Sequence, residues 1–311
     1  MKLRTRYLGL ELAHPFMPGA SPLADTLDSV RQLEDAGASA IVMRSLFEEQ
    51  ILRERFGSSG FTFGPDTYLE QLRRIKAAVS VPVIASINGT TTEGWLKYAR
   101  LLQRAEADAI ELNFYHLATD PAEDAASVEG RLLDIVAVLT ESTRIPLAVK
   151  LSPFYSALPN LAARLDRIGA QGLVLFNRFY QADIDPDELD TVSEVHLSTS
   201  SELVLRLRWL AILSSSYPGS LAVTGGIHEP IDAVKAVMAG ADAVQMVSAL
   251  LEHGSQHLTL VRDGFVRWCD EHEYESIDQV RDRMSLVHES HPHEAERRNY
   301  LQILQSWKHA G

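Results

Sequence analysis

The sequence predicts a closed (β/α)8 barrel, the TIM barrel of the α/β class. Two observations carry this: eight short apolar runs, each bounded by turn signals, and helix-period segments between them. The runs are HPFMPGAS from His14, SAIVMRS from Ser39, VPVIASING from Val81, DAIELNF from Asp108, IPLAVKLS from Ile145, GLVLFN from Gly172, SLAVTGG from Ser220 and DAVQMVS from Asp242. Strands that are apolar almost throughout are covered on both faces, as in a parallel sheet behind helices. Eight such units match a barrel, with an open doubly wound sheet as the alternative.

The helical stretches include 26–37, 92–107, 132–143, 161–170 and 231–240. Residues 1–311 therefore read as a single barrel domain, with a helical C-terminal extension from about 254. The strand ends are polar: Ser21, Arg44 and Ser45, Asn88, Asn113, Lys150, Asn177, Gly225 and Gly226, and Ser248. In a barrel these ends share one mouth, where active sites are built.

Composition narrows the function. A formal charge of -13 without a basic patch argues against nucleic acid and anionic membranes, and no apolar stretch is long enough to cross a bilayer. A small-molecule substrate and a cytoplasmic location are expected, and a homodimer is left open. The one cysteine, Cys269, supplies neither an internal disulfide nor an iron–sulfur cluster, so electron chemistry needs another carrier.

The strongest local motif is VTGGIHEPIDAVKAVMAGADAVQMVSAL, residues 223–250. Glycines at 225 and 226 let backbone N–H groups approach an anion, and the following helix N-terminus favours negative charge. Barrels commonly hold a phosphate after strands seven and eight. The motif alone does not say whose phosphate.

Several segments together resemble the dihydroorotate dehydrogenase family of FMN-dependent barrels. They are PFM with Gly19, Ala20 and Ser21, the Ser86–Gly89 sequence SING, ELN at 111–113, PLAVKLSP at 146–153, Asn177, and TGGI with Val247 and Ser248. The resemblance spans nearly the whole chain, to about residue 285. It implies FMN as cofactor, with Ala20 and Ser21 against the ring and Asn113 and Lys150 hydrogen-bonded to it. Arg44 and Ser45 join the cofactor site, and Gly225, Gly226, Val247 and Ser248 enclose the phosphate. Asn113, Asn177 and Arg178 are the implied substrate contacts, and Lys150 stabilises the reduced ring. The implied activity is oxidation of dihydroorotate or another small dihydro acid, in pyrimidine biosynthesis. With no membrane-binding extension ahead of the first strand, the soluble class is expected.

The substrate half departs from the family. Its catalytic loop reads Asn-x-Ser-Cys/Ser-Pro-Asn, whereas here it is Asn113-Phe114-Tyr115-His116-Leu117-Ala118. His116 falls at the base position, and histidine titrates near neutrality, so His116 or its neighbour Tyr115 is the candidate base. The family's lysine after strand two is Arg44, and residues 45–87 contain no asparagine. The long stretch Leu46 to Leu72, Gly-rich at 57–65, reads as a lid or a surface loop, and Asn177-Arg178-Phe179-Tyr180 as substrate contacts or rim packing. His288, His291 and His293 read as a solvated linker rather than a metal site. Two rivals stay open: a lyase or aldolase with Lys150 as Schiff base, and a flavin-binding protein without dihydroorotate activity.

Overall fold

Side chains on a strand alternate between two faces, and in this chain both faces of most core strands are apolar. A computed structural model describes residues 1–51, 64–91, 95–178, 182–289 and 291–306. An antiparallel hairpin, β1 (Thr5–Tyr7) and β2 (Leu10–Leu12), comes first. Then follow β3 (Phe16–Pro18), β4 (Ile41–Val42), β5 (Leu46–Phe47), β6 (Val83–Asn88), β7 (Ala109–Asn113), β8 (Leu147–Leu151) and β9 (Gly172–Leu175). A surface hairpin, β10 (Asp183–Asp185) and β11 (Asp190–Val192), precedes β12 (Ser220–Thr224) and β13 (Ala243–Met246).

The main sheet runs β3-β13-β12-β9-β8-β7-β6-β4 with every pair parallel, and β5 extends the pairing beside β6. The first and last strands in this order are joined by Ser39, whose N–H and hydroxyl donate to the Phe16 carbonyl at 3.0 and 2.7 Å. That contact sets aside the open doubly wound sheet. All eight strands expected from sequence are present.

The surrounding helices are α1 (Leu27–Asp35), α2 (Glu48–Ile51), α3 (Pro65–Ala78), α4 (Trp95–Arg104), α5 (Ala125–Ser142), α6 (Leu158–Arg167) and α7 (Leu203–Leu213). After them come α8 (Pro230–Met238), α9 (Ser248–His253), α10 (His257–Glu271), α11 (Ile277–Val280) and α12 (Pro292–Gln305). Helix α5 starts at Ala125, well before the 132 read from periodicity. Asp124 caps it, accepting the Ser127 N–H at 2.8 Å, and its first turn is exposed to water, so it adds no apolar stripe to read. Helix α10 belongs to the barrel wall: Leu258, Val261 and Phe265 are buried, and the Phe265 ring meets Phe16 edge-on at 5.4 Å. No helix among the described residues is long and apolar enough to cross a membrane. Of the 46–72 stretch read as a lid, the two ends are strand β5 with helix α2 and the start of helix α3, while 52–63 and the side chains of Phe179, Tyr180, His288 and His293 lie outside the described residues.

The barrel floor is narrow in side-chain volume. Ala109, Ala148, Ala222 and Ala243 cluster inside it with Met17, Val42, Ile84 and Val174. Tyr7, Leu8 and Leu12 of the N-terminal hairpin pack into the room the alanines leave, so the interior is filled to ordinary density. Leu8 sits at φ 54 with its N–H donated to Ser220 Oγ at 3.0 Å, and Gly172 makes space for it: a Cβ there would lie 2.5 Å from Leu8 Cδ2. A sealed floor leaves the opposite end for ligands.

His14, just ahead of β3, is buried, and its Nδ1 accepts the Phe16 N–H at 3.2 Å, which needs the neutral ring. Burial, and then the Arg262 charge, push its pKa down to about 4. The folded state thus binds fewer protons than the unfolded state between about pH 4 and the ordinary histidine value of about 6.5. Stability is expected to fall as the pH drops through that window. Urea midpoints across the window should show the loss, and His14→Gln should reduce its slope; an unchanged slope would remove His14 as the cause.

Candidate active site

Two residues beyond several of these inward apolar side chains, the same face turns polar. Ile84 is followed by Ser86, Ala109 by Glu111, Ala148 by Lys150, Ala222 by Thr224 and Ala243 by Gln245, as a period of two requires. This polar layer lies between the plugged floor and the mouth. Glu111, fully buried, accepts from Lys150 Nζ at 3.4 Å and from Gln245 Nε2 at 2.6 Å. Ser86 is held by Ser45, their hydroxyls 2.7 Å apart, and by the Tyr68 hydroxyl, which donates to its carbonyl at 2.9 Å.

Above this layer opens a cavity of about 250 Å³. Its lining brings together Ala20, Ser21, Arg44, Ser45, Asn113, Lys150, Asn177, Arg178, Gly225, Val247 and Ser248 from the strand ends and the loops after them. Asn177 Nδ2 donates to Asn113 Oδ1 at 2.6 Å, which joins the loop after β9 to the end of β7. Among the described residues Ser21 Oγ is buried without a hydrogen-bond partner. Ser198 donates its N–H and its hydroxyl to Ser248 Oγ, both at 2.9 Å, and accepts the Gly226 N–H at 3.3 Å. Three of the cavity's cations face carboxylates: Arg44 pairs with Asp25 at 2.7 Å, Lys150 with Glu111 and Arg178 with Glu202, the last two at 3.4 Å.

The loop after β12 departs from expectation in one respect. Gly225 and Gly226 do take φ of 84° and 81°, a region that favours glycine. The next helix end is already satisfied, however. Asp232 accepts the N–H groups of His228 and Glu229 at 3.1 and 2.9 Å, completing a capping box with Glu229. Gly226 also lies outside the cavity lining: a Cβ on it would strike the Leu203 backbone nitrogen at 2.6 Å, so its glycine serves packing against α7.

His116 and Tyr115 are not in this lining either. His116 is drawn outward by Glu123, with Nε2 2.9 Å from Oε2, while Arg131 on α5 holds the other carboxylate oxygen at 2.5 Å. The bond from His116, with the charges of His116 and Arg131, holds the Glu123 carboxyl below the usual carboxylate range. The imidazole instead borders a neighbouring cavity of about 290 Å³ with Ser152, Phe154 and Tyr155.

Sequence reasoning missed Phe47, Phe176, Ser198, Thr224 and Arg206, which also line the main cavity. Arg206 had a signal: the buried residues of α7 are Leu203, Arg206, Leu210 and Leu213, so this arginine occupies an apolar stripe.

A parallel barrel with a plugged floor, a buried ion pair and one polar cavity at its C-terminal mouth has the form of a barrel enzyme. A family model described as dihydroorotate dehydrogenase matches residues 55–267. The chain belongs to the dihydroorotate dehydrogenase family, as the motifs had implied. It is 25% identical over 299 residues to the catalytic subunit of dihydroorotate dehydrogenase B (NAD(+)) of Thermoplasma volcanium, covering 89% of this chain and 97% of that one. The corresponding subunit of Methanocaldococcus jannaschii is 24% identical over 295 residues, covering 86% and 92%. The NAD-dependent dihydropyrimidine dehydrogenase subunit PreA of Escherichia coli is 21% identical over 316 residues, covering 89% and 75%.

Removing Glu111 leaves the Lys150 ammonium buried without its carboxylate. Glu111→Ala should destabilise the fold by about 3–5 kcal/mol in urea unfolding, and Lys150→Met in the same chain should recover part of that. Equal losses in the single and double variants would mean that the pair does not interact.

Proposed function

We propose that the protein is an FMN-dependent oxidoreductase acting on a CH–CH bond of a small dihydro acid. The observation that carries this reading is the Lys150 ammonium, buried against Glu111 at the mouth of a barrel of this family, in a cavity also lined by Asn113 and by Ser21, whose buried hydroxyl has no partner among the described residues. These residues fit a flavin: a buried hydroxyl lacking a partner, two amides and a cation supply the donors and acceptors of a polar ring edge.

A flavin held by these residues would supply the hydride-accepting chemistry, with negative charge developing on its ring. Lys150 supplies fixed positive charge where that negative charge develops, and Glu111 keeps the ammonium in place. Asn113 and Asn177, joined to each other, orient ring and substrate across the mouth, and Arg178 offers its cation to a substrate carboxylate. Ser198, Gly225 and Ser248 form the phosphate end. His116, turned toward Glu123, reaches the substrate as a base only if the 114–124 loop swings inward.

Dihydroorotate is the first substrate to try, and a dihydropyrimidine the second, as the names of the relatives suggest. Relatives named as NAD(+)-linked catalytic subunits support NAD(+) as electron acceptor and a second subunit as partner. The ion pair with Glu111 works against the Schiff-base reading, because a Schiff-base lysine attacks as the free amine.

The purified protein is expected to show a flavin absorbance spectrum, to release FMN on denaturation, and to lose flavin colour on anaerobic addition of the right dihydro acid. Lys150→Gln should keep the flavin but slow its reduction by about 10²-fold. A colourless protein that takes up no FMN on reconstitution would sink this reading, and a borohydride-trapped adduct on Lys150 would replace it with the lyase.

A further inference from the structure

Among the described residues, one cation of the cavity forms no ion pair. Arg44, Lys150 and Arg178 each pair with a carboxylate, whereas Arg206 forms no ion pair among the described residues. It is 5% exposed. Its Nε donates to the Thr224 carbonyl and its Nη1 to the Glu202 carbonyl at 2.6 Å, both of them uncharged acceptors. Taking a guanidinium out of water is costly unless an anion compensates it.

The surroundings of Arg206 say what kind of anion. Its Nη2 lies against Gly225, where an added Cβ would come within 2.8 Å of it. Gly225, Ser198 and Ser248 line the same cavity and bring hydroxyl and backbone donors to that end. The N-terminus of α8, which would otherwise favour negative charge there, is spent on Asp232. A planar guanidinium with hydroxyls around it suits the several oxygens of a phosphate better than a single carbonyl.

We infer that Arg206 is the counter-ion of a phosphate monoester dianion and sets the preference of this cavity for a phosphorylated ligand. The identity of that ligand as FMN rests on the function proposed above. Burial holds the Arg206 pKa below its ordinary value, against the pull of Glu202, in keeping with a charge that awaits its partner. The residue acts on binding, and the hydride step is left to the Lys150 end.

The experiment compares FMN, riboflavin and inorganic phosphate on the full chain stripped of bound flavin. The wild-type protein should bind FMN about 10²-fold or more tightly than riboflavin, the scale of a buried charge pair. Arg206→Met should lose most of that preference while riboflavin affinity stays within a few-fold, and Arg206→Lys should restore part of it. Equal weakening of both flavins in Arg206→Met, or no weakening of either, would overturn the inference while leaving the flavin reading intact. Should no flavin bind, Arg206-dependent thermal stabilisation by inorganic phosphate would uphold the anion site and remove the flavin; its absence would remove both. If Arg206→Met does not fold, equal wild-type affinity for FMN and riboflavin overturns the inference, and a phosphate-dependent preference weakened in Arg206→Lys supports it.

Discussion

Everything above the barrel floor depends on one buried carboxylate. Glu111 has no exposure to solvent, and its two oxygens take one donor from Lys150 and one from Gln245, on strands far apart in the barrel order. A lone carboxylate there would be costly, and so would a lone ammonium. Together they hold a cation at the base of the cavity, and they tie β7 to β8 and across the lumen to β13. The same contact is therefore structural and chemical.

The cavity has two ends of different character. Near Lys150 the groups are the linked amides of Asn113 and Asn177 and a paired ammonium, a setting for a planar polar ring. Near Gly225 they are hydroxyls, a left-handed backbone and a guanidinium that forms no ion pair among the described residues, a setting for a compact anion. The two ends come from opposite parts of the chain order, β7 and β8 against α7 and β12. That division lets one ligand be gripped by its anion while its reactive part is tuned separately.

The barrel was legible because its signals are local. Each strand carries its apolar run and its polar last residue within a few positions, and Asn113, Lys150 and Ser248 meet at one mouth once eight parallel strands are assumed. The residues that were misread or missed depend on partners elsewhere. His116 follows Glu123 and Arg131, whose helix begins a full loop later, and no local pattern says that a histidine will turn toward an acid seven positions away. Arg206 lies on a helix, where a charge ordinarily signals water, and only the spacing of its apolar neighbours places it inside. The N-terminal hairpin carries too few residues to announce that it fills the floor of a barrel, although the alanines it meets were visible in four separate strands.

The plug also bears on how the chain folds. Thr5 donates its hydroxyl to the Asp242 carbonyl at 3.0 Å and accepts from Arg281 Nη2 at 2.7 Å, and Lys2 bridges to Ser276. These join residues 2–5 to residues 242–281, far apart in sequence. Contacts so distant in sequence are entropically slow to close and form late in a folding reaction. Until residues beyond about 280 have left the ribosome, the floor of the nascent barrel lacks its latch, and Tyr7, Leu8 and Leu12 have only part of their apolar surroundings to bury against. A growing chain of this kind keeps that apolar surface exposed to aggregation until those residues have emerged.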